Sequence, residues 1–288
     1  MKPAPFDYVR PQSLAAAIAA LAEGGWAAKP LAGGQSLIPA MNFRLAQPSL
    51  LVDLGGLEEL RGIRESEDGG LWIGAMTRQR ALERSGLVRE RAPLVAEAMP
   101  WIAHPQIRNR GTFGGSLAHA DPAAELPAIM LALDAMFVSR GPEGERRIPA
   151  REFYLGLFTT ALEPGELLIG IEIPPAPPGA RFAFEEVSRR HGDFALAGVA
   201  VALRVAEGIV EEAAIGLFSV GDGPILSAPG AAALVGRPLS DATIEGAAGA
   251  AAADLDPPGD IHATSNFRRH LARVLTHRAL ARLREEPS

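Results

Sequence analysis

Two pairs of adjacent glycines occur in similar surroundings in this chain. One pair lies in AGGQSL at residues 32–37, and the other lies in TFGGSL at residues 112–117. Without Cβ atoms, successive backbone N–H groups can converge on an anion, and the backbone can approach a flat ligand. Nearby hydroxyl groups add donors for phosphate oxygens. Two such segments could hold one pyrophosphate between them, whereas a tight turn is the more common explanation of one isolated pair.

Other familiar site motifs are absent from the sequence. Neither glycine segment has the G-x-G-x-x-G pattern of a dinucleotide-binding turn, and no Walker A, G-x-S-x-G or H-E-x-x-H pattern occurs. The chain has no cysteine, which excludes disulfides, thiolate catalysis and any iron–sulfur cluster held by this chain alone. Its net charge of −6 disfavours binding to nucleic acid, which depends on lysine and arginine.

The elements that must position the glycine segments can be predicted from local patterns. Ser13 and Gly24 delimit a helix over about 14–23, and a short strand at 29–31 leads into the first segment. An apolar strand at 49–54 and a hairpin with its turn at 68–70 follow. Thr77 is expected to cap a helix running toward Glu83, and 93–103 is a further helix. A loop over 104–125 then carries the second segment.

A proline-rich segment divides the chain. It reads PPAPPGAR at residues 174–181, directly after the apolar strand ELLIGIEIP, and we interpret it as a linker between domains 1–176 and 177–288. Beyond it, alternating residues predict a strand at 181–190 and two strands around Gly208, and helices are expected at 243–253 and 266–285. Strands and helices occur in blocks, so the expected fold class is α+β. With no apolar run of membrane-spanning length and no secretory signal, we expect a cytoplasmic chain without a transmembrane segment.

Several segments together resemble a known family. They are FDYVRPQSLAAAIAAL, PLAGGQSLIPAMNFRLAQPSLLVDL, IRNRGTFGGSLAHADPAAELPA, LLIGIEIP and VSRRHGDFALAGVAVAL. They resemble the FAD-binding medium subunit of molybdenum hydroxylases, which includes the carbon monoxide dehydrogenase medium chain and the xanthine dehydrogenase FAD domain. The resemblance runs from about residue 4 to 284. It implies a two-lobed PCMH-type FAD-binding domain followed by a smaller α+β C-terminal domain with an antiparallel sheet.

The resemblance also implies a set of FAD-binding residues. The two glycine segments would hold the pyrophosphate from two sides, through Ala32, Gly33, Gly34, Gln35, Ser36, Leu37, Thr112, Phe113, Gly114, Gly115 and Ser116. Gly34→Val or Gly114→Val is then expected to abolish flavin retention and to leave the fold largely intact, because a Cβ atom would occupy the space of the pyrophosphate.

Three further positions resemble family contacts but have ordinary explanations as well. His119 lies where members place a polar side chain near the phosphates, and a loop histidine with satisfied hydrogen bonds is an equal alternative. Glu125 lies where many members have an aspartate that binds the adenosine portion, although it is also suited to a helix N-terminus. Leu168 resembles a position whose backbone meets the adenine, and it is equally a plain buried strand residue.

Two positions depart from the family pattern. Some members have a lysine that contacts the flavin at the position of Glu186 or next to it. An acid at this position cannot stabilise an anionic reduced flavin. Phe194 stands where the carbon monoxide enzymes have a tyrosine beside the isoalloxazine, and its ring can stack but has no hydroxyl to donate. A different electron acceptor is a possible consequence.

The function implied by the resemblance is electron transfer within a complex. A large molybdopterin subunit would oxidise the substrate, a small subunit with two [2Fe–2S] clusters would relay electrons, and FAD on this chain would deliver them to an external acceptor. A free-standing FAD-dependent oxidoreductase and a structural adaptor without flavin remain alternatives. In the last helix, Phe267, Leu271, Val274, Leu275 and Ala279 form an apolar stripe away from Arg269, Arg273 and Arg284. That basic face is either solvated or docks an acidic partner.

Overall fold

The computed structural model describes residues 1–285, so the last three residues of the predicted C-terminal domain lie outside it. We call residues 1–176 the N-terminal region and residues 177–285 the C-terminal region. Helices of the N-terminal region are α1 (Leu14–Gly24), α2 (Leu37–Asn42), α3 (Gln79–Arg84), α4 (Gly86–Arg91), α5 (Pro93–Ala98), α6 (Pro105–Arg108), α7 (Phe113–His119), α8 (Glu125–Ala132) and α9 (Ala150–Phe153). Strands of this region are β1 (Asp7–Val9), β2 (Ala28–Leu31), β3 (Leu50–Asp53), β4 (Ile63–Glu65), β5 (Leu71–Gly74), β6 (Met136–Gly141), β7 (Gly144–Pro149), β8 (Tyr154–Gly156), β9 (Thr159–Thr160) and β10 (Leu167–Ile173).

The N-terminal region is built on two larger sheets. Strands β1, β3 and β2 form a parallel sheet in that order, and α1 packs its buried Leu14, Ile18 and Leu21 against it. Strands β4, β5, β10, β6 and β7 form an antiparallel sheet. The buried residues of the first sheet join a cluster separate from the main core around β5 and α8. That cluster also includes Val138 of β6 and Leu167 and Ile169 of β10, so it lies between the two sheets.

The C-terminal region is a sheet covered on both faces. Its elements are β11 (Ala180–Ser188), β12 (Ala195–Ala206), β13 (Ile209–Phe218), β14 (Ile225–Leu226), α10 (Ala228–Ala232), α11 (Asp241–Ala253) and α12 (Ser265–Glu285). The four strands are antiparallel in chain order. One face packs with α11 and α12, while the other, through Phe184, Ala200 and Phe218, belongs to the core of the N-terminal region. The α+β class and the antiparallel C-terminal sheet are confirmed.

Several local predictions are confirmed. The Ser13 hydroxyl accepts a hydrogen bond from the N–H of Ala16, and α1 ends at Gly24. The hairpin turn at 68–70 joins β4 to β5, and residues 174–179 between β10 and β11 form no regular element. These predictions were accurate because cap, turn and breaker residues act through their own backbone.

Thr77 does not cap the helix that follows it. The helix α3 begins at Gln79, after Arg78, and no side chain caps it. Instead, Thr77 Oγ1 accepts from the N–H of Gly62 and donates to its carbonyl, each at 3.0 Å. A tertiary contact with the segment before β4 therefore uses the hydroxyl that local sequence reasoning assigned to a cap.

The segment predicted as a loop over 104–125 contains two helices, α6 and α7. The Thr112 hydroxyl accepts from the N–H of Gly115 at 3.1 Å and caps α7. Because glycine has low helix propensity, the sequence concealed a helix whose first turn carries the second glycine pair.

The apolar stripe of α12 also needs correction. Leu271, Leu275 and Ala279 are buried as predicted, but Phe267 is 46% exposed. Arg268 is buried beside it, where its guanidinium donates to the carbonyl of Leu196 at 2.7 Å and pairs with Asp260. The helix begins at Ser265, one residue before the predicted start, and Val274 of the predicted stripe is only partly buried.

Candidate functional site

The first glycine segment is an open connection between β2 and α2. Gly34 has φ +70°, a left-handed conformation that glycine adopts without strain. Within residues 1–285, the N–H groups of Gly33, Gly34, Gln35 and Ser36 donate to no protein acceptor. Gln35 instead donates from its side chain to the carbonyl of Gly33 at 3.1 Å. Four successive free donors at the start of a helix are suited to an anion.

The second glycine segment is already hydrogen-bonded within the protein. The N–H groups of Phe113 and Gly114 donate to the carbonyls of Thr77 and Ala75, each at 2.9 Å. Those of Gly115 and Ser116 donate to the side chain and carbonyl of Thr112. An N–H nest at this segment, as the sequence suggested, is therefore not formed.

Gly114 lacks a side chain for an internal reason. A Cβ atom there would lie 2.4 Å from the Ala75 Cβ and 2.9 Å from the Ala75 oxygen, so the backbone after β5 would have to move. The expectation that Gly114→Val leaves the fold intact is wrong, because the collision is with the protein and not with a ligand.

The structure brings the two glycine segments together. A Cβ atom on Gly33 would lie 2.5 Å from the Arg110 oxygen and 2.9 Å from the Gly111 Cα, just before the second segment. A Cβ atom on Gly115 would lie 3.2 Å from the Ala32 Cβ. The free donors of the first segment thus lie beside α7, as the paired motifs predicted.

Arginine side chains add positive charge beside this junction. The guanidinium of Arg78 donates to the carbonyl of Arg110, the same oxygen that approaches Gly33. Burial and then the like charges of Arg61 and Arg110 lower the pKa of Arg78. Within the described part of the chain, Arg78 forms no ion pair. Sequence reasoning missed Arg78, because only the fold places it next to Gly33.

His119 is at the C-terminal end of α7. Its ring lies 5.1 Å, centroid to centroid, from that of Phe158, on the turn between β8 and β9. Burial lowers the pKa of His119, although nearby Asp121 opposes the effect. His119 therefore has a largely neutral imidazole, which lies between α7 and the exposed hairpin of β8 and β9.

The remaining predicted residues lie in three different environments. Leu168 is a buried residue of β10, 5% exposed, at an irregularity in its pairing with β6. Phe194 directly precedes β12 and is 69% exposed. Glu125 at the start of α8 and Glu186 on β11 are each 6% exposed, and the charge of Glu125 acts on Glu186. The structure thus groups the two acids with each other, in a buried interface.

Comparison with known proteins identifies the family. Residues 4–176 match the FAD binding domain in molybdopterin dehydrogenase, and residues 182–283 match the CO dehydrogenase flavoprotein C-terminal domain. This chain belongs to that family of FAD-binding subunits. The resemblance seen in the sequence is confirmed, and the two matches meet across the proline-rich segment.

Similar proteins share the whole chain. The 6-hydroxypseudooxynicotine dehydrogenase complex subunit alpha of Paenarthrobacter nicotinovorans is 44% identical over 98% of this chain and 95% of its own. The carbon monoxide dehydrogenase medium chain of Afipia carboxidovorans is 43% identical over 98% of both chains. The solved carbon monoxide dehydrogenase of Hydrogenophaga pseudoflava superposes with a TM-score of 0.96 at 41% identity, again over 98% of both chains. Members of the family are thus dehydrogenase subunits, and this chain is an oxidoreductase subunit of the same kind.

The residues present fit the family's cofactor. A diphosphate requires hydrogen-bond donors and positive charge. The free N–H groups around left-handed Gly34 provide the donors, and the arginines beside Gly33 provide the charge. No helix among residues 1–285 combines the length and apolar character needed to cross a membrane.

Proposed function

We propose that this chain is the FAD-carrying electron-transfer subunit of a heteromeric molybdenum hydroxylase. It takes electrons from the [2Fe–2S] clusters of a small partner subunit, which receive them from a large molybdopterin subunit, and passes them to an external acceptor. FAD, when bound, supplies the redox chemistry, since it can accept electrons singly and release them in pairs. The whole-chain similarity to medium chains of dehydrogenase complexes supports this assignment.

One observation on this chain's own residues supports the proposal. The four unused N–H groups of the first glycine segment lie against the backbone that leads into the second segment, next to Arg78. We assign these donors to the FAD diphosphate. The two segments then have different tasks, because the backbone of the first donates hydrogen bonds to the ligand, while the backbone of the second fixes α7 beside it and leaves only hydroxyl groups for the ligand.

The other residues receive roles by position. The hydroxyls of Ser36, Thr112 and Ser116 are assigned to phosphate oxygens, with Ala32, Leu37 and Phe113 completing the two segments. We assign His119 to the phosphate end, Glu125 to the ribose and the backbone of Leu168 to the adenine. Phe194, with its exposed ring, is assigned to the isoalloxazine face, and Glu186 to the same part of the cleft. Because neither Phe194 nor Glu186 brings the group found in other members, we propose an electron acceptor different from theirs.

The first experiment is a visible absorption spectrum of the purified chain, with released cofactor identified by chromatography. Flavin bands and released FAD are expected. Reduction of that flavin should then require the small iron–sulfur and large molybdopterin subunits, supplied together with a substrate of the large subunit.

Each alternative has its own outcome in this experiment. Rapid flavin reduction by a small substrate without any partner would replace the proposal with a free-standing oxidoreductase. A colourless chain that takes up no added FAD, alone or in the complex, would leave the structural adaptor. Neither alternative has an observation in the structure that favours it.

A further inference from the structure

One face of the C-terminal sheet meets the N-terminal region through a defined set of contacts. Phe184 and Glu186 alternate along β11 and point to this face, and Glu186 pairs with Gly198, which pairs with Phe218. Helix α8 lies on the same face, because a Cβ atom on Gly216 would be 2.4 Å from the Ala128 oxygen. Glu186 therefore faces the N-terminal region.

Glu125 reaches this junction from α8. The N–H of Ser219 donates to the carbonyl of Pro122 at 2.8 Å, so the loop before α8 is bonded to the end of β13. Glu125 lies between Pro122 and Ala128 in sequence, both of which touch β13 or the residue after it. It therefore lies on the α8 side of this junction, and its charge acts on Glu186.

Both carboxyl groups are buried without a positive partner. Each residue is 6% exposed, and within residues 1–285 neither carboxyl oxygen of Glu186 has a hydrogen-bond partner. The charges with the strongest effect are themselves negative, since Glu125 acts on Glu186 and Asp121 acts on Glu125. Two buried carboxylates without a cation cannot both remain ionised at low cost.

Two arginines of α12 near this junction are engaged elsewhere. On α12, Arg282 bonds to Glu97 of α5 and to Glu185 on the opposite face of β11, while Arg268 bonds to Asp260. On the sheet itself, Arg204 of β12 pairs with Glu211 and Glu212 of β13, and Arg181 of β11 bonds to the carbonyl of Leu283. The loop after β11 carries Arg189, Arg190, His191 and Asp193, of which Arg189 pairs with Asp193. The remaining charged groups are Arg151 and Glu152 of α9 and His119 of α7. His119 faces Asp121.

We propose that Glu125 and Glu186 form one proton-binding pair that spans the two regions, and that the proton it holds keeps the C-terminal sheet docked on α8. Protonation removes a negative charge from a buried carboxyl group whose oxygens have no partner, and beside which no cation lies, among residues 1–285. Loss of the last proton leaves two negative charges in a closed interface. Both residues are also assigned to the flavin site, so the titration of the pair is measured on the chain without flavin.

The direction of the pH effect follows from the pKa values. Burial, reinforced by neighbouring negative charge, raises the pKa of Glu125 to about 7 and that of Glu186 to about 8, from an ordinary 4.5. A group with a raised folded-state pKa stabilises the folded state fully below its unfolded pKa. That stabilisation decreases as the pH rises above about 4.5 and is lost above about 8. Docking should therefore weaken between neutral and alkaline pH.

The test measures hydrogen exchange of the full chain without flavin between pH 6 and pH 9, as protection factors corrected for intrinsic exchange. The reporter is the N–H of Ser219, which bonds across the junction to Pro122. Its protection factor should fall by up to about tenfold per pH unit for each proton released. In Glu186→Gln the fall should be about half as steep, because only Glu125 still releases a proton in this range. Glu212→Gln is the control, since it changes an exposed acid of β13 that pairs with Arg204, and it should behave as the unmodified protein does.

Infrared spectroscopy provides a second readout at pH 7. The C=O stretching band of a protonated carboxyl should be present in the unmodified chain and weaker in Glu186→Gln. Should that variant fail to fold, Glu125→Gln removes the same pair from the other side and is measured identically. A flat protection profile in the unmodified chain, or an unchanged slope in both glutamine variants, would overturn the proposal.

Discussion

The two glycine segments look alike in sequence but differ in what their backbones do. In the first, the N–H groups of residues 33–36 have no protein acceptor, and Gly34 is left-handed. In the second, the N–H groups of residues 113–116 are all bonded within the protein, and Gly114 packs against Ala75. The same residue type therefore serves a ligand in one place and the protein's own packing in the other. This difference is open to experiment through single substitutions.

The largest effect is expected from Gly114→Val. The new side chain would collide with the backbone at Ala75, which no rotamer change can avoid. We expect a loss of at least about 3 kcal/mol in the free energy of unfolding, the upper range for overpacking a core. Chemical denaturation of the chain without flavin measures this loss directly. A stability equal to that of the unmodified chain would show that the second segment is not a packing element.

Gly34→Val should mainly weaken flavin binding. At φ +70° a valine is strained, and realignment of the free N–H groups would remove several charge-assisted hydrogen bonds. We expect FAD affinity to fall by at least about a hundredfold, since the loss of even two such bonds, at about 1.5 kcal/mol or more each, has this effect.

Gly69→Val is the matched control for Gly34→Val. It also has positive φ, at +84°, but it lies in the β4–β5 turn, where a Cβ atom would meet nothing, whereas on Gly34 it would lie 3.2 Å from Ile38 Cγ1. It should lose similar stability, about 1–2 kcal/mol, while retaining FAD affinity. Equal FAD affinities in the two variants would remove the first segment from the diphosphate site.

Arg78→Gln should produce an intermediate effect. The arginine contributes charge next to Gly33 and has no ion-pair partner among residues 1–285. We expect FAD affinity to fall by about tenfold and to depend less on salt, because one contact between a guanidinium and a phosphate is lost. Titration of the apoprotein at low and high ionic strength tests both expectations. Arg64→Gln, which removes an arginine that stacks on Trp72, is the control.

Sequence patterns revealed the family, the fold class and the proximity of the two segments, because glycine pairs and strand periodicity are local signals. They did not reveal that Thr77 bonds to Gly62, that Arg78 lies beside Gly33 or that Glu125 faces Glu186. Each of these contacts joins residues from different elements, so tertiary packing determines them. The helix α7 was missed for a related reason, since its stability comes from packing and from the Thr112 cap.

Thr112→Ala should have the smallest effect on stability, and it tests the same difference between the two segments. The buried hydroxyl of Thr112 accepts from the Gly115 N–H, so its removal leaves the first turn of α7 without its cap. We expect a loss of about 1 kcal/mol of stability, similar to that of Ser13→Ala at the start of α1. The two variants should differ in flavin binding, because only α7 lies against the first segment. If Thr112→Ala lowers FAD affinity more than Gly34→Val does, the second segment is the main diphosphate ligand, and the division of tasks between the segments is reversed.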